Sequence, residues 1–147
     1  MSEGKPDLID FMIRHAWHRI ARMYNQMAVK EGITTSAGFI LMMVEKNGTP
    51  STQLGPKMGM EPTSLSRTLN AMEKDGLIYR SDCVDDRRKA LVHLTEAGIQ
   101  KRKLIRKFIL TFNDDVTAKL KKRDLEGFHK VMSVLDNLLD DVVEDKK

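Results

Sequence analysis

Two stretches at opposite ends of the chain carry apolar residues at helical spacing, and together they present more apolar surface than the segment between them can cover. In residues 8–29, "LIDFMIRHAWHRIARMYNQMAV", Ile9, Met12, Ile13, Ala16, Trp17, Ile20, Tyr24 and Met27 recur at the period of a helix. From about Asp124 to Val143 the pattern returns with Leu125, Phe128, Val131, Met132, Leu135, Leu138, Leu139 and Val142. The central region expected to form a domain between them, about residues 33–100, has fewer than 70 residues. Apolar stripes of this size need a partner surface, so the chain is expected to pair with a second copy of itself.

At 147 residues and 41% hydrophobic content the chain is expected to form a single domain, residues 1–147, with a globular core. Charged residues make up 31% and aromatics only 5%, a balance that favours helices with long polar faces. No stretch approaches the length of a membrane-spanning helix, and the N-terminal "MSEGKPDLIDF" has no basic-then-apolar signal pattern. A lone Cys83 cannot build an intramolecular disulfide framework, so a cytoplasmic protein without membrane association is expected. The charge is uneven. Residues 51–107 hold twelve bases and seven acids, whereas residues 124–147 hold three bases and seven acids. A basic middle and an acidic end point to a polyanion-facing region and a tail that faces something else.

After the first helix, "KEGITTS" marks a break at Gly32, and Ser36 is expected to cap a second helix through "AGFILMMVEKNG", ending at Asn47-Gly48. Its nearly continuous apolar character marks it as the buried centre. Two short helices with a tight turn follow, with Ser51 the expected cap of the first and Gly59 the turn residue. Gly55 stands where a helix-turn-helix needs a small residue between its two helices, but Pro56 should kink or shorten the first. The second helix starts at Pro62 and stops at Asp75-Gly76. "LIYRSD" and "KALVHL" form a hairpin around "CVDDRR", and Thr95 caps a further helix through "IQKRKLIRKFILTFNDDVTAKL".

On a helical wheel, Leu65, Leu69 and Met72 share one face of the second short helix, and Thr63, Arg67, Asn70 and Lys74 the other. Hydroxyl, amide and guanidinium groups are what base edges and phosphates accept in a major groove. Pro62, Thr63 and Ser64 occupy the N-terminal turn, where free N–H groups and the helix dipole hold phosphate, and Ser66 extends the candidate contact set. The basic hairpin tip, one element later, is placed to reach an adjacent minor groove, where arginine suits the concentrated negative potential. The acids beside it make sense if one of them braces an arginine side chain.

These residues resemble the MarR-type bacterial transcription regulators. "DDRRKALVHLTEAG" is similar to that family's wing signature, with Asp86, Arg88, Leu94, Thr95 and Gly98 on its marked positions. "SLSRTLNAMEKDGLIYR" looks like its recognition helix and first wing strand, through Leu69, Glu73, Lys74, Gly76 and Leu77. The resemblance covers nearly the whole chain. It implies a mainly α fold with a small β-hairpin wing: a winged helix-turn-helix region at 33–100 flanked by dimerisation helices at 8–30 and 101–143. It further implies a homodimer on a pseudo-palindromic duplex-DNA operator, Arg88 in the minor groove supported by Asp86, and Arg87 on a nearby phosphate. The residues themselves leave open whether Asp85 or Asp86 is the brace.

The family often binds small aromatic or phenolic molecules between its dimerisation helices and its DNA-binding domain. His15, His18, Met42 and Met43 are the candidate ligand-binding residues here, methionine supplying an adaptable lining. Two histidines with no third ligand nearby do not make a zinc site, so neither a metal nor a cofactor is expected. Family members that sense peroxides place their cysteine in the first helix, where this chain has none, and Cys83 sits beside the wing instead. No Ser/His/Asp, paired-carboxylate or Gly-rich phosphate-loop constellation stands at usable spacing, which argues against an enzyme. The competing expectation is a winged-helix module that binds another protein.

Overall fold

The structure, a computed structural model, describes residues 8–82 and 90–144. Its elements run α1 (Ile9–Lys30), α2 (Thr35–Met43), β1 (Thr49–Pro50), α3 (Ser51–Met58), α4 (Pro62–Lys74), β2 (Ile78–Asp82), β3 (Ala90–Leu94), α5 (Glu96–Thr117) and α6 (Lys122–Glu144). The chain divides into two compact units, Met1–Ile105 and Arg106–Lys147.

In the first unit α2 is the centre, as its apolar composition predicts: Ile40 and Leu41 are fully buried, with Val44 just beyond the helix. Leu54 from α3, Leu65, Leu69 and Met72 from α4, Ile78 and Val92 from the sheet, and Ile105 from α5 complete the core. Each such side chain contributes roughly 1.5–3 kcal/mol by leaving water. The cap of α2 is not Ser36. Thr34 has extended backbone angles, and its hydroxyl accepts from the Ala37 N–H at 3.1 Å, which starts the helix at Thr35. Nor does the helix reach Asn47-Gly48. The Glu45 N–H donates to the Thr49 hydroxyl at 2.8 Å rather than continuing the helical ladder, and the chain turns into an extended segment.

That segment, β1, was not foreseen from the sequence. It pairs antiparallel with β3, Thr49 opposite Val92 and Pro50 opposite Leu91, while β3 also pairs with β2 from Ile78–Leu94 to Asp82–Ala90. The three strands lie in the order β1-β3-β2. Pro50 has no N–H to donate and therefore suits an edge. It also takes the position before α3, so Ser51 is the first helical residue and not the cap.

The expected cap of α5 holds. The Thr95 hydroxyl accepts from the Gly98 N–H at 3.1 Å and donates to the Gly76 carbonyl, and the Thr95 N–H donates to the Leu77 carbonyl at 3.1 Å. Gly98 lies against that same Leu77 carbonyl so closely that an added methyl group would run into it. Two adjacent cations then fasten α5 to the ends of other helices. Lys101 Nζ donates to the Glu31 carbonyl at 2.9 Å after α1, and Arg102 Nη1 to the Val44 carbonyl at 2.7 Å after α2. Both carbonyls sit at the negative ends of helix dipoles, where a cation is favoured.

In the second unit the Lys121 N–H donates to the Asp124 carboxylate at 2.8 Å, which starts α6 at Lys122. The expected continuation of α5 to Leu120 stops at Thr117. Phe128 (59% exposed), Val131, Val134, Leu138, Leu139 and Val142 of α6 stand open in the single chain. So, in the first unit, do Phe11, Met12, Ile13 and Trp17 of α1. Among the described residues no helix is long and apolar enough to cross a membrane.

Gly98→Ala is expected to destabilise the protein by about 1–3 kcal/mol, the usual range for overpacking. Gly127→Ala, at a helical position where an added Cβ meets nothing within 4 Å, should stabilise by about 0.5–1 kcal/mol. Urea unfolding of both variants checks the contrast, and equal effects would contradict it.

Candidate nucleic-acid interface

The turn between α3 and α4 is built by two glycines. Gly59 takes φ 64° and ψ 26°, the left-handed conformation that costs other residues roughly 1–2 kcal/mol. The reversal is closed by the Met60 N–H donating to the Gly55 carbonyl at 3.0 Å. A Cβ on Gly55 would stand 3.2 Å from the Met60 carbonyl oxygen and 3.3 Å from Leu65 Cδ2, so the absence of a side chain sets how closely the helices approach. Pro56 falls in the last turn of α3 and loses one helical hydrogen bond there. The helix is short, eight residues, yet it continues past the proline to Met58.

α4 divides as its sequence predicts. Leu65, Leu69 and Met72 are buried; Pro62, Thr63, Ser64, Ser66, Arg67, Asn70 and Lys74 are exposed. The N-cap residue Glu61 makes no side-chain capping bond, and Pro62 has no N–H. The first-turn N–H groups of Thr63 and Ser64 are therefore left to an outside acceptor at the positive end of the helix. A cavity of about 630 Å³ lies between α3, the start of α4 and Arg80, and Ser66 is part of its wall.

Arg80 belongs to this face and was not singled out from the sequence. Its Nη2 donates to Asn70 Oδ1 at 2.7 Å, and its Nε lies 3.6 Å from Glu73 Oε2. That Nε is buried and makes no hydrogen bond, so the carboxylate acts on it as a charge and not as an acceptor. The signal was the alternation of "IYR": Ile78 is buried, Tyr79 exposed and Arg80 half-buried, which turns Arg80 toward the side on which Ile78 packs. Further along the hairpin, Tyr79 and His93 face each other across the strands with rings stacked at 4.8 Å, and the Ser81 hydroxyl meets His93 Nε2 at 2.8 Å.

The other candidates are less concentrated. His15 and His18 are exposed along α1, and Met42 and Met43 are half-buried at the end of α2. Neither the cavity beside Arg80 nor a second one of about 470 Å³, between the α1–α2 connection and α4, is lined by any of the four. Among the described residues no group of three His, Cys, Asp or Glu side chains could hold a metal ion. Cys83, Asp85, Asp86, Arg87 and Arg88 lie outside the described residues.

Comparison with known proteins agrees with this arrangement. The MarR family model matches residues 33–90. A candidate transcriptional regulatory protein for the hcr operon of Thauera aromatica is 29% identical over 91 residues, 61% of this chain; the match spans about 55% of that relative's length. A solved MarR-family transcription regulator superposes with a TM-score of 0.80 at 23% identity, covering 89% of this chain and 87% of its own. The Staphylococcus aureus MepR structure in complex with DNA gives 0.76 at 18% identity, covering 92% and 99%. At these identities the two structures establish likeness of fold: helices around a winged helix-turn-helix.

Gly55→Val should force α3 and α4 apart and cost about 1–3 kcal/mol by overpacking. Gly59→Ala should cost about 1–2 kcal/mol through its backbone alone. Thermal unfolding of the two variants, with far-ultraviolet circular dichroism to follow helix content, measures both.

Proposed function

From the match of residues 33–90 to the MarR family model, we propose that this chain is a sequence-specific transcription regulator acting as a homodimer on double-stranded DNA. In this reading α4 enters the major groove of each half of a pseudo-palindromic operator, and the tip between β2 and β3 reaches the minor groove with Arg88. Asp86 braces that arginine and Arg87 takes a phosphate. The observation that carries the reading is the stripe of α4: Thr63, Ser64, Ser66, Arg67, Asn70 and Lys74 are exposed on a helix whose apolar side is buried. The likeness of fold to MepR solved on DNA supports it.

MarR-family proteins are transcription regulators and not enzymes. Homodimerisation is supported by the exposed apolar faces of α1 and α6, which lie outside the matched segment and need a partner surface. The regulator is read as a cytoplasmic repressor released by a small aromatic or phenolic effector. Half-buried Met42 and Met43, with His15 and His18 of α1, are the residues assigned to it.

Binding to duplex from its own upstream intergenic region should exceed binding to random duplex at moderate salt, and should weaken steeply as salt rises because Lys and Arg displace counterions. Arg88→Ala should cost about 1–3 kcal/mol of operator affinity while sedimentation reports an unchanged dimer. Arg67→Ala should lower the logarithmic salt slope by about 1 if Arg67 holds a phosphate. Unchanged affinity in Arg88→Ala, with no preference for the upstream DNA, would assign the fold to protein binding instead.

A further inference from the structure

We infer that Arg80, on the first strand of the hairpin, determines base preference by orienting the carboxamide of Asn70. The inference rests on the proposed reading of α4 as the helix that enters the major groove. A free asparagine offers one acceptor and two donors, and read in both senses it pairs with adenine, accepting from N6 and donating to N7. Asn70 is not free. The Arg80 guanidinium has only donors, so the group it holds at 2.7 Å must be the carboxamide oxygen, and the amide nitrogen is turned the other way. Glu73, 3.6 Å from the buried Nε of the same arginine, keeps the guanidinium in place.

The consequence is chemical. Asn70 presents two N–H donors outward, while its strongest acceptor position is occupied by a charge-assisted bond. A donor pair matches a base edge that displays acceptors: guanine through O6 and N7, or thymine through O4. Arg80 touches no base in this scheme. It converts an adenine-reading side chain into one that selects guanine or thymine.

The test is selection of bound sequences from a random duplex pool, followed by affinity measurement on the selected operator and its single-base variants. Asn70→Ala locates the base pair concerned, because preference there, and not elsewhere, should flatten by about tenfold. Wild type should prefer guanine or thymine at that pair. Arg80→Met keeps the apolar stem packed and removes the donors, so adenine should gain by about tenfold at that position with the rest of the operator unchanged. Arg80→Lys restores a donor and should restore the wild-type preference. A uniform loss of affinity in Arg80→Met with the preference intact, or wild-type selection of adenine at the Asn70 position, overturns the inference alone. A wild-type protein that selects no sequence overturns the regulator reading and this inference with it.

Discussion

The Thr95 hydroxyl joins two ends of the polypeptide ladder. It accepts from Gly98 to begin α5 and donates to the carbonyl of Gly76, which ends the turn after α4. The Thr95 N–H takes the neighbouring carbonyl of Leu77, and Gly98 packs against that carbonyl with no side chain between. The end of α4, the hairpin and the start of α5 are thus fixed to one another within a few residues. Core burial supplies the bulk of the stabilising energy, but it is non-directional. This joint is directional, and it sets where the exposed stripe of α4 lies relative to the hairpin.

The same joint gives a physical reason for residues that a motif merely marks. In "LTEAG" the threonine is the cap and the glycine makes room for the Leu77 backbone. In "KDGL" the glycine ends α4 and the leucine supplies both a buried side chain and the carbonyl that α5 packs on. The two motifs match because they describe two sides of one contact, which is why they carry more information together than apart.

Features that depend on neighbours in the chain were legible in the sequence: the buried and exposed faces of α4, the glycine turn, the Thr95 cap and the long amphipathic ends. What escaped depends on partners far along the chain or on choices among equivalent groups. β1 is two residues long, with no alternation to detect, and exists because Val92 and Leu91 of β3 lie beside it. Thr34, Thr35 and Ser36 offer three successive hydroxyls, and the one with extended backbone angles became the cap. Arg80 meets Asn70 ten positions away only after the chain has turned at Gly76. In the candidate interface, the exposure of the seven candidate residues on α4 was thus legible, while the arginine bonded to one of them was not.

Lys101 and Arg102 are consecutive, so their side chains leave α5 about 100° apart around its axis. One takes the last carbonyl beyond α1, the other the last carbonyl beyond α2. A single cation would act as a pivot, allowing the helix to roll while the contact persisted. Two in different directions act as a key in a slot. α5 cannot turn about its own axis without releasing one helix end or the other, so within this unit α1, α2 and α5 share one rotational setting.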